Sequence, residues 1–413
     1  MGRLVVLMVT AFVDMMGNLI VFPLVPFYAK RLLGHGPLWT LLDSIGLGGE
    51  GAVVSLMVIA FAVAQLMSAP SWGRFSDKFG RRPALMIGLG GSAIAFIVFA
   101  FANSLELLFL CRLVQGAGGG TVGVIQAYVA DATKPADRAK ALGWLSAATN
   151  AGVAIGPAIG AWAMTFGTSG PGLVAAAIML VNMAFAWKYL AESNEHAGKH
   201  ASDRPVSRKS PEVMRRVLSH PKEAASRLIW IYGITMGSFQ GMNTILALFL
   251  AFKFGVTEQT IGYFFAYVGT ISFVTRAAFL GKLVDRFGEP HLSRIGMVFL
   301  AAGLAGMALA PNIPLLAVAV ALVPLGAAFT FPCVTGLLSR VVPSHERGLY
   351  MGVQQTFGGV GRVIAPLYAG FAFDHLGKGV PFLTGAVIVL LTIPLGLGIE
   401  KQMPAKETEP AAP

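Results

Sequence analysis

Apolar residues run along almost the whole chain in stretches of roughly twenty, each closed by a short cluster of charge, glycine or proline. A helix needs roughly 20 residues to cross a hydrocarbon layer. Twelve windows meet that need, namely Leu4–Tyr28, Val53–Trp72, Ala84–Ala102, Leu105–Val129, Ala141–Ala163, Leu173–Leu190, Leu228–Leu250, Ile261–Leu280, Ile295–Ala310, Pro314–Leu338, Leu349–Phe373 and Val380–Leu397. Inside lipid no water satisfies the backbone, so each window closes its own hydrogen bonds as an α-helix. The alternating ten-residue segments of a membrane β-barrel do not occur.

Composition supports this reading. Of 413 residues, 55% are hydrophobic and only 12% charged, with a mean hydropathy of +0.69. A soluble domain carries about 25% charged residues. Only Arg3 precedes the first apolar run, Asp14 interrupts it, and no small-residue cleavage site follows, so this run is expected to be a span rather than a leader. Cys111 and Cys333 both fall inside predicted helices, where they form neither a disulfide framework nor a metal site. GxSxG, HExxH and Walker patterns are missing, so neither an enzyme nor a direct ATP-driven pump is expected, and no cofactor.

The net charge of +11 points to a membrane surface rather than to nucleic acid. Basic residues crowd the even-numbered loops: Arg74, Lys78, Arg81 and Arg82, then Lys134, Arg138 and Lys140, and many more between the sixth and seventh windows. The odd-numbered loops carry Lys30, Arg31, Lys253 and Lys378. The positive-inside rule then puts both termini in the cytoplasm, as expected of a multi-pass protein of a bacterial inner membrane.

The chain also repeats itself. Gly73-Arg-Phe-Ser-Asp77-Lys-Phe79-Gly80 returns as Gly281-Lys-Leu-Val-Asp285-Arg-Phe287-Gly288, and Arg138, Gly143, Gly152 and Pro157 return as Arg347, Gly352, Gly361 and Pro366. A near-constant offset across several helices marks a duplication. Six helices per half relate the halves by an axis along the membrane normal. The expected organisation is a six-helix bundle over 1–190, a cytoplasmic linker over 191–226, a second bundle over 227–400 and a tail over 401–413. Within the linker, Pro211–Arg227 reads mainly as a solvated tether, with an amphipathic surface helix as the alternative.

These residues resemble the major facilitator superfamily, and within it the twelve-helix drug–proton antiporters of the tetracycline-efflux type. Gly73–Arg82 is similar to the family's signature between helices two and three. Arg112-Leu-Val-Gln115-Gly116 resembles its helix-four signature. Gly143, Gly152, Gly156-Pro157 and Gly160 resemble the antiporter signature of helix five, with Ala161 in place of the last glycine. The resemblance implies two pseudo-symmetric six-helix bundles acting as a monomer, with protons, the lipid bilayer and a small-molecule cargo as partners. Tetracycline exporters carry a carboxylate in helix nine; Ile295–Ala310 has none, which sets tetracycline itself aside as the expected cargo.

Asp14 is the one acid well inside a window. A charge at helix centre costs roughly 2.5–3.5 kcal/mol on insertion scales, so such groups are functional by default. Asp14 and Arg112 are the candidates for proton coupling. Arg112 stays charged and needs a carboxylate, carbonyls or water, and Asp14 is the acid that suits it. Candidate cavity groups are Asn18, Gln65, Gln115, Gln126, Asn150, Gln240, Asn243, Tyr263, Tyr267, Gln354, Gln355 and Arg362. Among abundant Phe, Trp and Met, a few polar anchors suit varied apolar ligands. For gating, Gly73 and Gly80 are expected to allow turns, Asp77 to approach a helix N-terminus in the other half, and Arg81 to pair with Asp131. Gly152, Gly156 and Gly160 form a small-residue stripe expected to pack at the inter-half seam, with Pro157 kinking the helix. The expected function is proton-driven export of small hydrophobic or amphipathic compounds. The alternative is a proton symporter or facilitator importing a small polar metabolite such as a sugar.

Overall fold

The structure is a computed structural model that describes residues 2–119, 121–134, 137–193, 210–343 and 346–402. Every regular element among them is helical. Span 1 runs Arg3–Val21, tightens to a 3₁₀ turn at Phe22–Leu24 where Pro23 removes a donor, and resumes over Val25–Leu32. Span 2 is Glu50–Phe79, span 3 Arg81–Ala100, and span 4 Leu105–Gly119 with Val122–Ala132. Span 5 is Arg138–Ala163 and span 6 Gly170–Tyr189. Span 7 is Ala224–Phe254. Span 8 is Ile261–Val274, followed by a π-helical turn at Thr275–Phe279 and then by Leu280–Leu309, a stretch kinked at Gly288 whose second part is span 9. Spans 10, 11 and 12 are Ile313–Val341, Arg347–His375 and Val380–Thr392.

Among the described residues, eight helical stretches are long and apolar enough to cross a membrane by length and composition alone, one of them holding spans 8 and 9 together. Spans 5, 11 and 12 are not among them. Spans 5 and 11 are rich in glycine and carry Asn150, Gln354, Gln355 and Arg362, because much of their surface faces other helices rather than lipid. The surface helix Ser210–Ser219 buries Val213 and Val217 against the second bundle, so this part of the linker is docked rather than merely solvated. The rest of the predicted linker, 194–209, and the tail 403–413 lie outside the described residues. So does the side chain of Arg138.

Each half repeats one packing scheme. Glycines 152, 156 and 160 of span 5 lie against the backbone of span 1 at Phe12, Met16 and Ile20. Gly361 of span 11 lies in the same way against Gly233 and Gly237 of span 7. The seam between halves uses other faces. Span 5 meets span 8 where Ala154, Pro157 and Ala161 touch Gly262 and Gly269, and span 2 meets span 11 where Gly51 and Ser55 touch Gly370. The expected place of the glycine stripe is therefore corrected: it joins two helices of one half. Ala161, one residue on from the stripe, is what touches the other half.

The seam is closed on one side only. Opposite the face that carries residues 3 and 402, Asp374 accepts the backbone N–H groups of Gly51 and Ala52 at 2.9 and 2.8 Å, Arg31 pairs with Glu258, and Phe22 meets Phe265 edge-on. Val53 and Met57 of span 2 are fully buried there. Further along the same helix, Leu66 and Met67 are 56% and 75% exposed. Among the described residues the contacts across the seam gather toward this side, which sets the vestibule between the bundles toward the terminal face.

Candidate functional site

Asp14 lies mid-way along span 1 and is 7% exposed. Asn18, one turn further on, donates from Nδ2 to the Asp14 backbone carbonyl at 2.9 Å and to Oδ1 at 3.3 Å. Gly152 of span 5 touches the Phe12 carbonyl and Met16 amide, which bracket Asp14, so close backbone approach fixes this turn. On another side Asn182 of span 6 donates to the Thr10 carbonyl at 3.0 Å. The matching turn of span 7, bracketed by Gly233 and Gly237 against Gly361, holds Thr235, whose hydroxyl is spent on the Ile231 carbonyl. The two halves are alike in shape here, yet only one of them carries an ionisable group at this turn. A carboxyl in such a place needs a cation, water or a proton.

Arg112 does not supply that cation in this conformation. Its guanidinium lies 5.6 Å over the Phe99 ring, and Phe99 packs at 4.7 Å on Tyr28, whose hydroxyl reaches the Thr168 carbonyl near the closed side. Tyr28 stands fourteen residues beyond Asp14 along span 1, or roughly 20 Å at 1.5 Å per residue. The expected Asp14–Arg112 contact is therefore absent. Buried Nε and Nη2 of Arg112, and Nε2 of buried Gln115 one turn away, have no hydrogen-bond acceptor.

The groups at Asp14's depth come instead from span 5 and from the second half. Asn150, two residues from Gly152, accepts from Nη1 of Arg276 at 3.4 Å across the seam. Arg276 sits in the π-helical turn of span 8, and its buried Nε has no acceptor. Single-turn π-bulges recur at functional sites because they re-aim one side chain. Arg362 follows Gly361 directly, so it lies level with Thr235. Gln355 shares its face of span 11 and donates to the Tyr232 hydroxyl at 3.3 Å. Gln354 is buried and accepts from Thr335. Tyr232 and Phe239 both meet Phe331 edge-on at 5.6 and 6.0 Å, giving the second half an aromatic wall. Periodicity gave no warning of Arg276's role at the seam or of the Phe331 cluster, since a neighbour in space leaves no mark in a lone helix.

Other predicted groups fall elsewhere. Tyr263 is 70% exposed on the closed side, where exposure means the bundle's periphery, and Tyr267 on the same face donates to the Ala317 carbonyl of span 10. These two tyrosines are not cavity residues. Gln65 is spent on the Gly119 carbonyl and Asn243 on the Phe239 carbonyl, while Gln240 is half-buried and Gln126 exposed. A lateral groove of about 580 Å³ runs between spans 7, 11 and 12. Its walls are apolar, and it lies on the face of span 11 opposite Arg362, so it does not belong to the polar vestibule.

At the terminal face, Arg81 is buried and bonds Asp77 at 2.6 Å, Asp131 at 3.1 Å and the Ser76 hydroxyl at 2.6 Å. Asp77 is engaged by Arg81 of its own half. Gly80 turns with φ +104°, and the Arg81 and Arg82 amides donate to Glu192 at the end of span 6. Gly73 makes no turn: it lies inside span 2 with open space beside it.

Two six-helix bundles packed against each other toward one face are the architecture of a polytopic membrane transporter. The chain belongs to the Major Facilitator Superfamily, whose family model matches residues 7–290 and 228–412. It is 26% identical to the class B tetracycline resistance protein of Escherichia coli over 400 residues, covering 89% of this chain and 97% of that protein. It is 25% identical to multidrug resistance protein 2 of Bacillus subtilis over 419 residues, covering 99% and 96%. The crystal structure of the nucleoside transporter NupG superposes with a TM-score of 0.73 at 14% identity over 97% of this chain and 99% of that one, a likeness of fold.

Proposed function

We propose that this protein exports small hydrophobic or amphipathic compounds in exchange for protons, by alternating access. One observation carries the reading: Asp14 lies buried far from both ends of its helix, with Asn18 as its side-chain partner. A carboxyl there changes between charged and protonated forms as its surroundings open or close, and such a change couples a proton to the movement. The names of the relatives, tetracycline and multidrug resistance proteins, support efflux.

In this reading residues 1–190 and 227–400 are the moving bodies and 191–226 tethers them. The terminal face is the cytoplasmic side of a bacterial inner membrane, so the structure is the inward-open state of a monomer. Asn18, Asn150, Gln355 and Arg362 border the cargo space. Arg112 acts through its charge from nearer the closed side. Asp77, Arg81 and Asp131, linked to one another in this state, exchange contacts when the inner face shuts.

The test is accumulation of fluorescent amphiphiles of each charge type by proteoliposomes under an imposed proton gradient. Asp14→Asn is expected to bind cargo but to lose at least ten-fold of gradient-driven transport. Uphill transport at the wild-type rate by Asp14→Asn, with the gradient still required, would move the coupling to another group.

A further inference from the structure

Asp14, Arg276 and Arg362 lie at one depth. Gly152 packs on the carbonyl and amide that bracket Asp14, and Asn150, which bonds Arg276, is two residues away. Gly361, beside Arg362, packs on the turn of span 7 that matches Asp14's turn. With Asp14 ionised, this layer still holds one positive charge in excess. No carboxylate among the described residues pairs with either arginine. Arg276 has a single contact at 3.4 Å and a buried Nε without an acceptor, and among the described residues no hydrogen bond reaches the half-buried Arg362. A guanidinium cannot shed its proton, and an unpaired one withdrawn from water is costly. What the layer lacks is an anion, and its aromatic wall is Tyr232, Phe331 and Phe239.

From the shared depth of Arg276, Arg362 and the aromatic wall, we infer that the cargo is an amphiphile bearing one anionic group, a carboxylate or its like, on an apolar aromatic body. Arg276 and Arg362 engage the anion and the aromatic wall takes the body. A monoanion neutralises the layer while Asp14 stays ionised, so cargo binding does not require Asp14 to hold its proton. A cationic amphiphile of equal size meets two arginines with one acid to offset them. The inference rests on the reading of the vestibule as the cargo site.

The experiment uses the full chain in nanodiscs and three probes with one body: 2-naphthylacetate, 2-naphthylacetamide and 2-(2-naphthyl)ethylammonium. Calorimetric titration is corrected with empty nanodiscs. The carboxylate is expected to bind at least ten-fold more tightly than the amide, and the ammonium more weakly than either. Arg276→Gln and Arg362→Gln each reduce that preference and the double variant removes it, while the amide keeps its wild-type Kd within two-fold. If the double variant loses the amide as well, Arg276→Lys with Arg362→Lys decides: a retained carboxylate preference supports the inference and a lost one overturns it. Equal binding of the three probes, binding of none, or a preference that survives the double glutamine variant overturns it. Proton-driven export of cationic amphiphiles without any carboxylate preference sinks the anion assignment and leaves the export reading standing. Failure to transport any amphiphile, with the binding preference intact, does the reverse.

Discussion

Glu289 and Arg340 stand 3.1 Å apart at the terminal-side ends of spans 9 and 10, at the repeat positions of Arg81 and Asp131, with the charges exchanged. Gly80 and Gly288, each preceding its pair, share a positive φ of 104° and 74°. The duplication therefore kept the geometry of the link and reversed its polarity.

The reversed pair makes a pH prediction. Glu289 precedes the apolar window Ile295–Ala310, so it stands at the membrane's edge rather than within it. Burial raises its carboxyl above the ordinary range, and Arg340 pulls it part of the way back. An acid with a raised folded-state pKa binds its proton more tightly when folded. Its contribution to stability is therefore fullest below the unfolded pKa and declines as pH rises through the folded value. Arg340→Ala removes the opposing charge, so the variant should match wild type near pH 4–5 and fall below it at pH 8. Because Arg340 is half exposed, the loss is expected to stay under about 1 kcal/mol. Thermal unfolding in detergent at the two pH values checks this, and the exchange Glu289→Arg with Arg340→Glu should restore the wild-type profile.

Asp374 caps the start of span 2 from the other half, accepting the Gly51 and Ala52 amides. Charge-assisted hydrogen bonds of this kind are worth about 1–3 kcal/mol each. The contact exists only while this side is shut, so Asp374→Ala should shift the population toward the opposite state. Spin labels at His35→Cys and Gln259→Cys, across the closed mouth, should report a longer-distance component in the variant. An unchanged distance distribution would show that apolar packing alone holds this side closed.

The seam between spans 5 and 8 has no room for a methyl group. A Cβ at Gly262 would overlap Ala161 and the Pro157 carbonyl, and one at Gly269 would stand 2.6 Å from the Ala154 Cα. Backbone cannot yield as a side-chain tip can, and overpacking costs about 1–3 kcal/mol. Gly262→Ala is expected to open the closed side and reduce transport at least five-fold without lowering expression. Accessibility of a cysteine at Phe265, buried against Phe22 of the other half, to a membrane-impermeant thiol reagent should rise in step.

Gly73 and Gly80 belong to one signature but should behave differently. Gly80→Ala strains a left-handed turn and presses on Glu192, an expected loss of about 1–2 kcal/mol in melting experiments. Gly73→Ala meets open space inside a helix and should leave stability unchanged or slightly raised. A destabilised Gly73→Ala protein would mean that another conformation packs tightly at this point.

The length of an apolar window, the repeat offset and the isolation of Asp14 are properties of one strand of text, set by lipid thickness, gene duplication and the cost of a buried charge. They yielded the family's fold and the number of spans, and they single out the acid for the proposal made above. Periodicity also shows which residues of one helix share a face, as for glycines 152, 156 and 160. It does not say which helix that face meets. Span 1 lies there rather than the other half, and the seam falls to Ala154, Pro157 and Ala161.

Pairing across helices was decided by the tertiary structure alone. Arg112 and Asp14 look like partners by chemistry, yet they occupy different depths, because Arg112 sits near the closed end of span 4 and its guanidinium rises to Phe99. Arg276 reaches Asp14's layer because a π-turn re-aims it and span 8 lies against span 5. Tyr263 and Tyr267 lie on the periphery through the rotation of span 8 about its own axis. Depth, tilt and rotation of each helix are set by the fit of its neighbours. They are collective quantities that no local pattern of residues encodes.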